Sequence, residues 1–95
     1  MSKREEFVEA MKRRLDEMNV EIDQLESRLS AQRERFGVTY DEQLQQLKAS
    51  ALAVRNKISE IKVAGDERWE TLVVEGEKIQ NALIHSFNYF KSQLK

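Results

Sequence analysis

The sequence contains no cysteine and no proline, and it has only one histidine and three glycines. Without cysteine the chain can form no disulfide, no thiolate metal site and no cysteine nucleophile. A proline-free chain rich in Glu, Lys, Gln, Leu and Arg is typical of coiled coils and long helices. These absences favour a helical protein and remove several kinds of catalytic site.

The chain also lacks an excess of charge of one sign and a long apolar run. Sixteen basic and 17 acidic residues give a net charge of −1, so the basic face by which proteins bind nucleic-acid phosphates is missing. The longest uncharged stretch, 79–90, spans only about 12 residues and contains several polar ones, too few to cross a bilayer. The opening residues lack the apolar core of a signal peptide, so we expect a cytoplasmic protein. Because the charge is balanced, we also expect that the protein binds no nucleic acid.

What the chain does have is one apolar stripe at helical spacing along almost its whole length. An apolar residue every three or four positions places these side chains on one side of a helix, which another helix or an apolar partner must then cover. The stripe consists of Phe7, Met11, Leu15, Met18, Ile22, Leu25 and Leu29, then Leu44, Leu47, Ala51, Val54, Ile58 and Ile61, then Trp69, Leu72, Gly76, Ile79, Leu83, Phe87, Phe90 and Leu94.

The stripe and its interruptions predict an all-α fold, an antiparallel helical bundle or coiled coil that forms a single domain over residues 1–95. Three helical segments are expected at about 2–35, 40–64 and 67–93. Ser2 begins the first helix as its N-cap, and Gly65 followed by Asp66 separates the second helix from the third.

The junction between the first two helices has two interpretations. Gly37 favours a turn, with Thr39 and Glu42 as a capping box for the second helix. Alternatively, residues 36–39 continue the helix, because the apolar stripe runs across them, and the chain becomes a long helical hairpin. The turn gives a three-helix bundle within one chain, whereas the continuous helix needs a second chain to cover its far half.

A hairpin about Gly65 also predicts which residues of the second and third helices face each other. Val54 is expected opposite Gly76, and Leu47 opposite Leu83. Small residues then meet large ones, as close packing prefers.

Candidate catalytic residues are few. His85 has Asn81 and Ala82 four and three residues before it, so the Glu-x-x-His pattern of di-iron bundles and the His-Glu-x-x-His pattern of zinc helices are both absent. We therefore predict a surface histidine, no enzyme, no metal site and no cofactor.

The segment from Ile79 to Leu94 is broader in its apolar surface than one coiled-coil seam. Ile84 and Tyr89 extend the apolar surface beside the main stripe, and Lys91 is the only charged residue of the segment. Such a helix is either buried among several helices or contacts something else. Core burial, self-association and a lipid or other hydrophobic surface are the three interpretations.

Two segments resemble a group of small, poorly characterised bacterial coiled-coil proteins. The first is MSKREEFVEAMKRRLDEMNVEIDQLESRL at residues 1–29, with the pattern M-K-x-x-L-D-E-x-N-x-E-I-D-x-L-E, and the second is GDERWETLVVEGEKIQNAL at residues 65–83, with W-E-x-L. The resemblance implies a bacterial cytosolic helical protein without an assigned activity. The chain departs from the group at Gly37 and in its more aromatic tail.

Together these features predict a non-enzymatic structural or interaction module that self-associates through apolar helix faces, as a dimer or tetramer or with another protein. The residues expected to carry this packing are Phe7, Ile22, Leu25, Leu47, Ile58, Trp69, Leu83, Ile84, Phe87 and Phe90. One alternative is an amphipathic protein that binds lipid or storage-granule surfaces reversibly. A nucleic-acid-associated helical protein is a second, disfavoured alternative.

Overall fold

A computed structural model describes residues 2–93 of the chain, and at 33–39 it describes the backbone alone. The described residues form three helices, α1 (Lys3–Ala31), α2 (Arg33–Val63) and α3 (Trp69–Gln93), and contain no strand. All three pack against one another, which confirms the predicted all-α helical bundle.

The three helices run up, down and up along a rod of 51 × 20 × 18 Å. Glu26 of α1 forms an ion pair with Lys48 of α2, and Arg4 near the start of α1 bonds the carbonyl of Ala64 just beyond α2, so these two helices are antiparallel. The ring of Trp69 at the start of α3 lies 6.3 Å from the ring of Phe7, so α3 runs parallel to α1.

The start of α1 follows from local capping. The Ser2 hydroxyl accepts the backbone N–H of Glu5 at 3.2 Å, as predicted for an N-cap. Glu5 and Glu6 lie in the first turn, where the helix dipole favours negative charge.

The predicted turn at Gly37 is wrong. The helix is interrupted at Gln32, whose N–H bonds the carbonyl of Leu29 at 3.2 Å, and α2 already includes Gly37 and Thr39. Residues 36–39 are thus helical, as in the alternative interpretation, but the helix does not continue unbroken into α1. A glycine inside a helix costs only about 1 kcal/mol relative to alanine, which the packing of a long helix readily offsets.

The predicted break at Gly65 is confirmed, although it is longer than expected. α2 ends at Val63 rather than Ala64, and α3 begins at Trp69 rather than Glu67. The carbonyl of Gly65 accepts the N–H groups of Arg68 and Trp69 at 3.0 and 3.2 Å and so leads the chain into α3. The predicted N-cap Asp66 instead directs its carboxylate to Arg4, 3.3 Å away.

This longer connection shifts the register of α2 against α3 by about one helical turn. Gly76 was expected opposite Val54, but a Cβ placed on Gly76 lies 3.1 Å from the Lys57 side chain and 3.5 Å from that of Ile61. Leu47, expected opposite Leu83, lies in a groove with Ser86 and Phe90. The predicted register is therefore wrong, because it assumed a tight turn centred on Gly65.

The predicted stripe forms the core of the bundle. The buried apolar residues are Val8, Met11, Leu15, Met18, Ile22, Leu25 and Leu29 of α1, Leu44, Leu47, Ala51, Val54, Ile58 and Ile61 of α2, and Leu72, Val73, Leu83, Phe87 and Phe90 of α3. Val8 takes the buried place expected for Phe7, which is 38% exposed. Trp69 and Ile79 are half-buried against this core, and Leu94 lies outside the described residues.

Helix α3 is broad in apolar residues because it packs against both other helices. Leu83, Phe87 and Phe90 are buried, and Ile84 is half-buried against the core. Tyr89 stays on the surface with 66% of its area exposed. No described helix combines the length and the hydropathy needed to cross a membrane.

A buried glutamine joins α3 to α1. Gln80 is 2% exposed, and its Nε2 donates to the backbone carbonyl of Met11 at 2.9 Å. Its Oε1 has no partner among the described residues. The unpaired Oε1 costs free energy in the core, which offsets much of what the hydrogen bond contributes to stability. The main effect of the bond is to fix which turns of α1 and α3 lie side by side.

Gly76 lets the three helices come together at this level. A Cβ on Gly76 would lie 2.7 Å from the Met11 methyl group, in addition to its contacts with Lys57 and Ile61. A distance below 3 Å requires some atom to move, so α3 approaches α1 as closely as the absence of a side chain permits. No such crowding surrounds Gly65, where a Cβ would meet nothing within 4 Å.

We expect Gly76→Leu to lower the free energy of unfolding by about 1–3 kcal/mol, because the larger side chain overpacks the junction of the three helices. Gly76→Ala should stay within about 1 kcal/mol of the wild type, since the gain in helix propensity offsets the shift of the flexible Met11 end. Urea unfolding followed by circular dichroism measures both, and Gly65→Ala is the uncrowded control. A Gly76→Leu variant as stable as the wild type would contradict this packing.

Candidate interaction surfaces

The residues predicted to carry packing lie in three environments. Ile22, Leu25, Leu47, Ile58, Leu83, Phe87 and Phe90 are buried, Trp69 and Ile84 are half-buried, and Phe7 is exposed beside Trp69. The buried residues face one another within a single chain. Helix faces that were expected to bind a second chain therefore form the intramolecular core, and an interaction surface must be sought outside it.

One end of the bundle is held by Arg4. Its Nη1 donates to the Ala64 carbonyl at 2.8 Å, its Nη2 lies 3.3 Å from the Asp66 carboxylate, and its guanidinium lies 5.5 Å from the centre of the Trp69 ring. A guanidinium over an indole face gains cation–π attraction. One side chain of α1 thus contacts the α2–α3 connection and the start of α3.

The groove at this end has a volume of about 760 Å³ and mixed charge. Its lining includes the basic side chains of Lys3, Arg4, Lys12 and Lys62 and the acidic side chains of Glu5, Glu9 and Asp66. Because opposite charges stand side by side, their fields largely cancel, and the groove has little preference for a ligand of either sign.

A lysine links α2 to α3 near the level of Gly76. Lys57 Nζ lies 3.1 Å from Glu60 Oε2 on its own helix and 3.3 Å from Glu75 Oε2 on α3. The hydrogen bonds to Glu60 and to Glu75 raise the pKa of Lys57 above its ordinary value. This bridge lies beside the core, and both carboxylates are open to solvent.

The other half of the α2–α3 face contains a groove of a different chemistry. It has a volume of about 430 Å³ and a floor formed by the buried side chains of Leu47 and Phe90. Its walls are Gln43, Gln46 and Ser50 from α2 and His85, Ser86 and Tyr89 from α3. We name these eight residues the uncharged groove, because none of them is an Asp, Glu, Lys or Arg.

The absence of charge is unusual on this surface. Charged residues make up 35% of the chain. Three other grooves all include them: the groove at the Arg4 end, one between α1 and α2 with Asp23, Lys48 and Arg55, and one between α1 and α3 with Glu21, Arg28 and Lys91. The uncharged groove thus differs from these three grooves in its chemistry.

The walls of the uncharged groove hold unused hydrogen-bonding groups. The side chains of Gln46, His85, Ser86 and Tyr89 are exposed, and none of the six polar wall side chains forms a hydrogen bond with any other residue that the structure describes. His85 is a surface residue, as expected. Among the side chains at 2–32 and 40–93, no group of three His, Asp or Glu residues could hold a metal ion.

Sequence reasoning found half of this groove. The uncharged run 79–90 stands out in the sequence, and it supplies His85, Ser86 and Tyr89. The α2 wall was missed, although Gln43, Gln46 and Ser50 are spaced three and four apart and form one uncharged helix edge. That spacing could have indicated them, but only the packed structure shows that this edge adjoins α3.

We expect the Lys57 bridge to give the bundle a specific loss of stability at high pH. The pKa of Lys57 is raised in the folded protein. The bridge therefore contributes fully to the free energy of unfolding below the ordinary lysine pKa of about 10.4, and this contribution is lost as the pH rises through the raised pKa. Urea unfolding from about pH 9 to about pH 12 should show a smaller decline in Lys57→Met than in the wild type. Lys62→Met is the control, and equal declines in all three proteins would contradict the bridge.

Comparison with known proteins gives no assignment: no protein-family model, no curated protein and no solved structure matches this chain. The resemblance to small bacterial coiled-coil proteins stays a prediction. What the chain does has to follow from its own surface.

Proposed function

We propose that the protein is a non-enzymatic helical interaction module that self-associates in the cytoplasm through its outer surface. The observation that carries this proposal is the uncharged groove, with its exposed Tyr89, on a bundle in which three other grooves contain charged residues. The apolar stripe supplies the scaffold, and the outer surface is available for contact with a partner.

The composition of the groove supports a protein contact. Centres of protein interfaces are depleted in Lys, Glu and Asp and enriched in Tyr, Phe and other aromatic residues. An exposed tyrosine offers a large contact area and fixes few rotatable bonds, which makes it a common source of binding free energy. Tyr89 lies beside a floor of Leu47 and Phe90, so a partner would find an apolar centre within a polar rim.

The closed core supports the same proposal. Because the apolar stripe is covered within one chain, the outer surface is already formed before any partner arrives. Its groove-lining residues lie on two packed helices, whose backbones hold the side chains in place. A preformed surface loses less conformational entropy on binding than a segment that must first fold.

The predicted alternative of reversible lipid binding depended on the apolar breadth of α3. Leu83, Phe87 and Phe90 are used in the core, so contact with lipid through them would require α3 to leave the bundle. The net charge of −1 gives no general attraction to anionic lipid or to nucleic acid. Self-association through the outer surface needs no such rearrangement.

Sedimentation equilibrium of the full chain tests this proposal. We expect a concentration-dependent mass that reaches at least twice the 11.2 kDa of one chain at micromolar concentration. Circular dichroism at the same concentrations should show unchanged helicity, because association uses the surface of an already folded bundle. A mass of one chain throughout, up to about 1 mM, would contradict self-association.

A further inference from the structure

We propose that the uncharged groove is the contact between two copies of this chain, which pair groove to groove about a two-fold axis. This inference rests on the proposed self-association and names the surface that performs it. Leu47 and Phe90 form the centre of the contact, and the six polar side chains of Gln43, Gln46, Ser50, His85, Ser86 and Tyr89 surround it.

Charge is the first argument for a second copy as the occupant. In a two-fold contact the same patch occurs on both sides, so a charge that lies near the axis faces its own copy. Like charges brought together in this way cost several kcal/mol. The mixed or charged lining of the other three grooves would need exact opposite pairing, whereas the uncharged groove carries no such constraint.

Hydrogen bonding is the second argument. Every polar wall side chain is an amide, a hydroxyl or an imidazole, and each of these groups in its neutral form can both donate and accept. Such a set is complementary to itself, because any member can pair with any other across the axis. An acidic or basic partner, by contrast, would find no charge here to pair with.

The segments 43–50 and 85–90 extend over only about 11 and 8 Å of the 51 Å rod. They form the centre of the contact, and the rest of the area of about 800 Å² that each partner supplies to a standard interface comes from the flanking surface of α2 and α3. The exposed Tyr89 of each copy would then lie against the groove of the other.

Ser86 is the position at which to test the contact. It is exposed, short and uncharged, and it makes no hydrogen bond through its side chain to the other described residues. A charge there changes the groove without removing any core side chain. Ser27, on α1, is an exposed serine in a helix outside the groove and gives a matched control.

We expect Ser86→Glu to weaken the dimer by at least roughly 100-fold in Kd, because each dimer receives two like charges inside one contact. Ser86→Lys should do the same. An equimolar mixture of the two variants should recover a mixed dimer that is tighter than either variant alone. Sedimentation equilibrium with circular dichroism on each variant makes these measurements.

The corresponding Ser27→Glu and Ser27→Lys proteins should dimerise as the wild type does, alone and mixed. The wild-type Kd should change by less than roughly threefold between about 0.1 M and 1 M salt, where the screening length falls from about 10 Å to 3 Å. A steep salt dependence would point instead to a charged surface and would overturn the uncharged groove as the contact.

The possible results separate this inference from the proposed function. A wild type that stays a single chain at all concentrations refutes self-association itself. A wild type that dimerises, with folded Ser86 variants that dimerise equally well, refutes the groove and leaves self-association standing. Weakened dimers of both Ser86 variants, restored on mixing, support both.

Discussion

The structure depends on closing one apolar core from three helices of the same chain. Ile22, Ile61 and Leu83 come from three different helices, and each is almost wholly buried. Because complete burial of one such side chain stabilises a fold by about 1.5–3 kcal/mol, removing any one helix from the bundle would expose several of them at once. The close approach at Gly76 and the bond from Gln80 to the Met11 carbonyl set how α3 docks into this arrangement.

Burial of the apolar stripe within one chain also determines which residues remain available to a partner. An apolar stripe of this length could in principle join several chains, and that was the basis for predicting self-association through it. Once the stripe is covered internally, a partner can recognise only the outer positions of the helices. Many of these are charged, in both signs, and the patch formed by α2 and α3 near Tyr89 differs from them by its lack of charge. The proposed pairing of two copies follows from this difference.

The helical class, the buried stripe and the break at Gly65 could be predicted because they depend on spacing and on local chain chemistry. The interruption at Gln32 could not be, since no capping residue or glycine marks it and tertiary packing outweighs a capping preference of about 1 kcal/mol. The register of α2 against α3 failed for a related reason: it depends on the length of the connection, which Arg4 and the Gly65 carbonyl help to determine. The α2 half of the groove could not be predicted without that register.

The most direct test of the closed bundle is the distance, within one chain, between the start of α1 and the end of α2. Since the sequence has no cysteine, Glu9→Cys and Lys62→Cys can be introduced and labelled with a donor and an acceptor dye. Both residues line the groove at the Arg4 end, so we predict efficient energy transfer in labelled protein diluted into excess unlabelled chain. A continuous helix over these 53 positions would separate the labels by about 80 Å. Transfer too weak for neighbouring labels would show that α1 packs on another chain and would contradict the closed bundle.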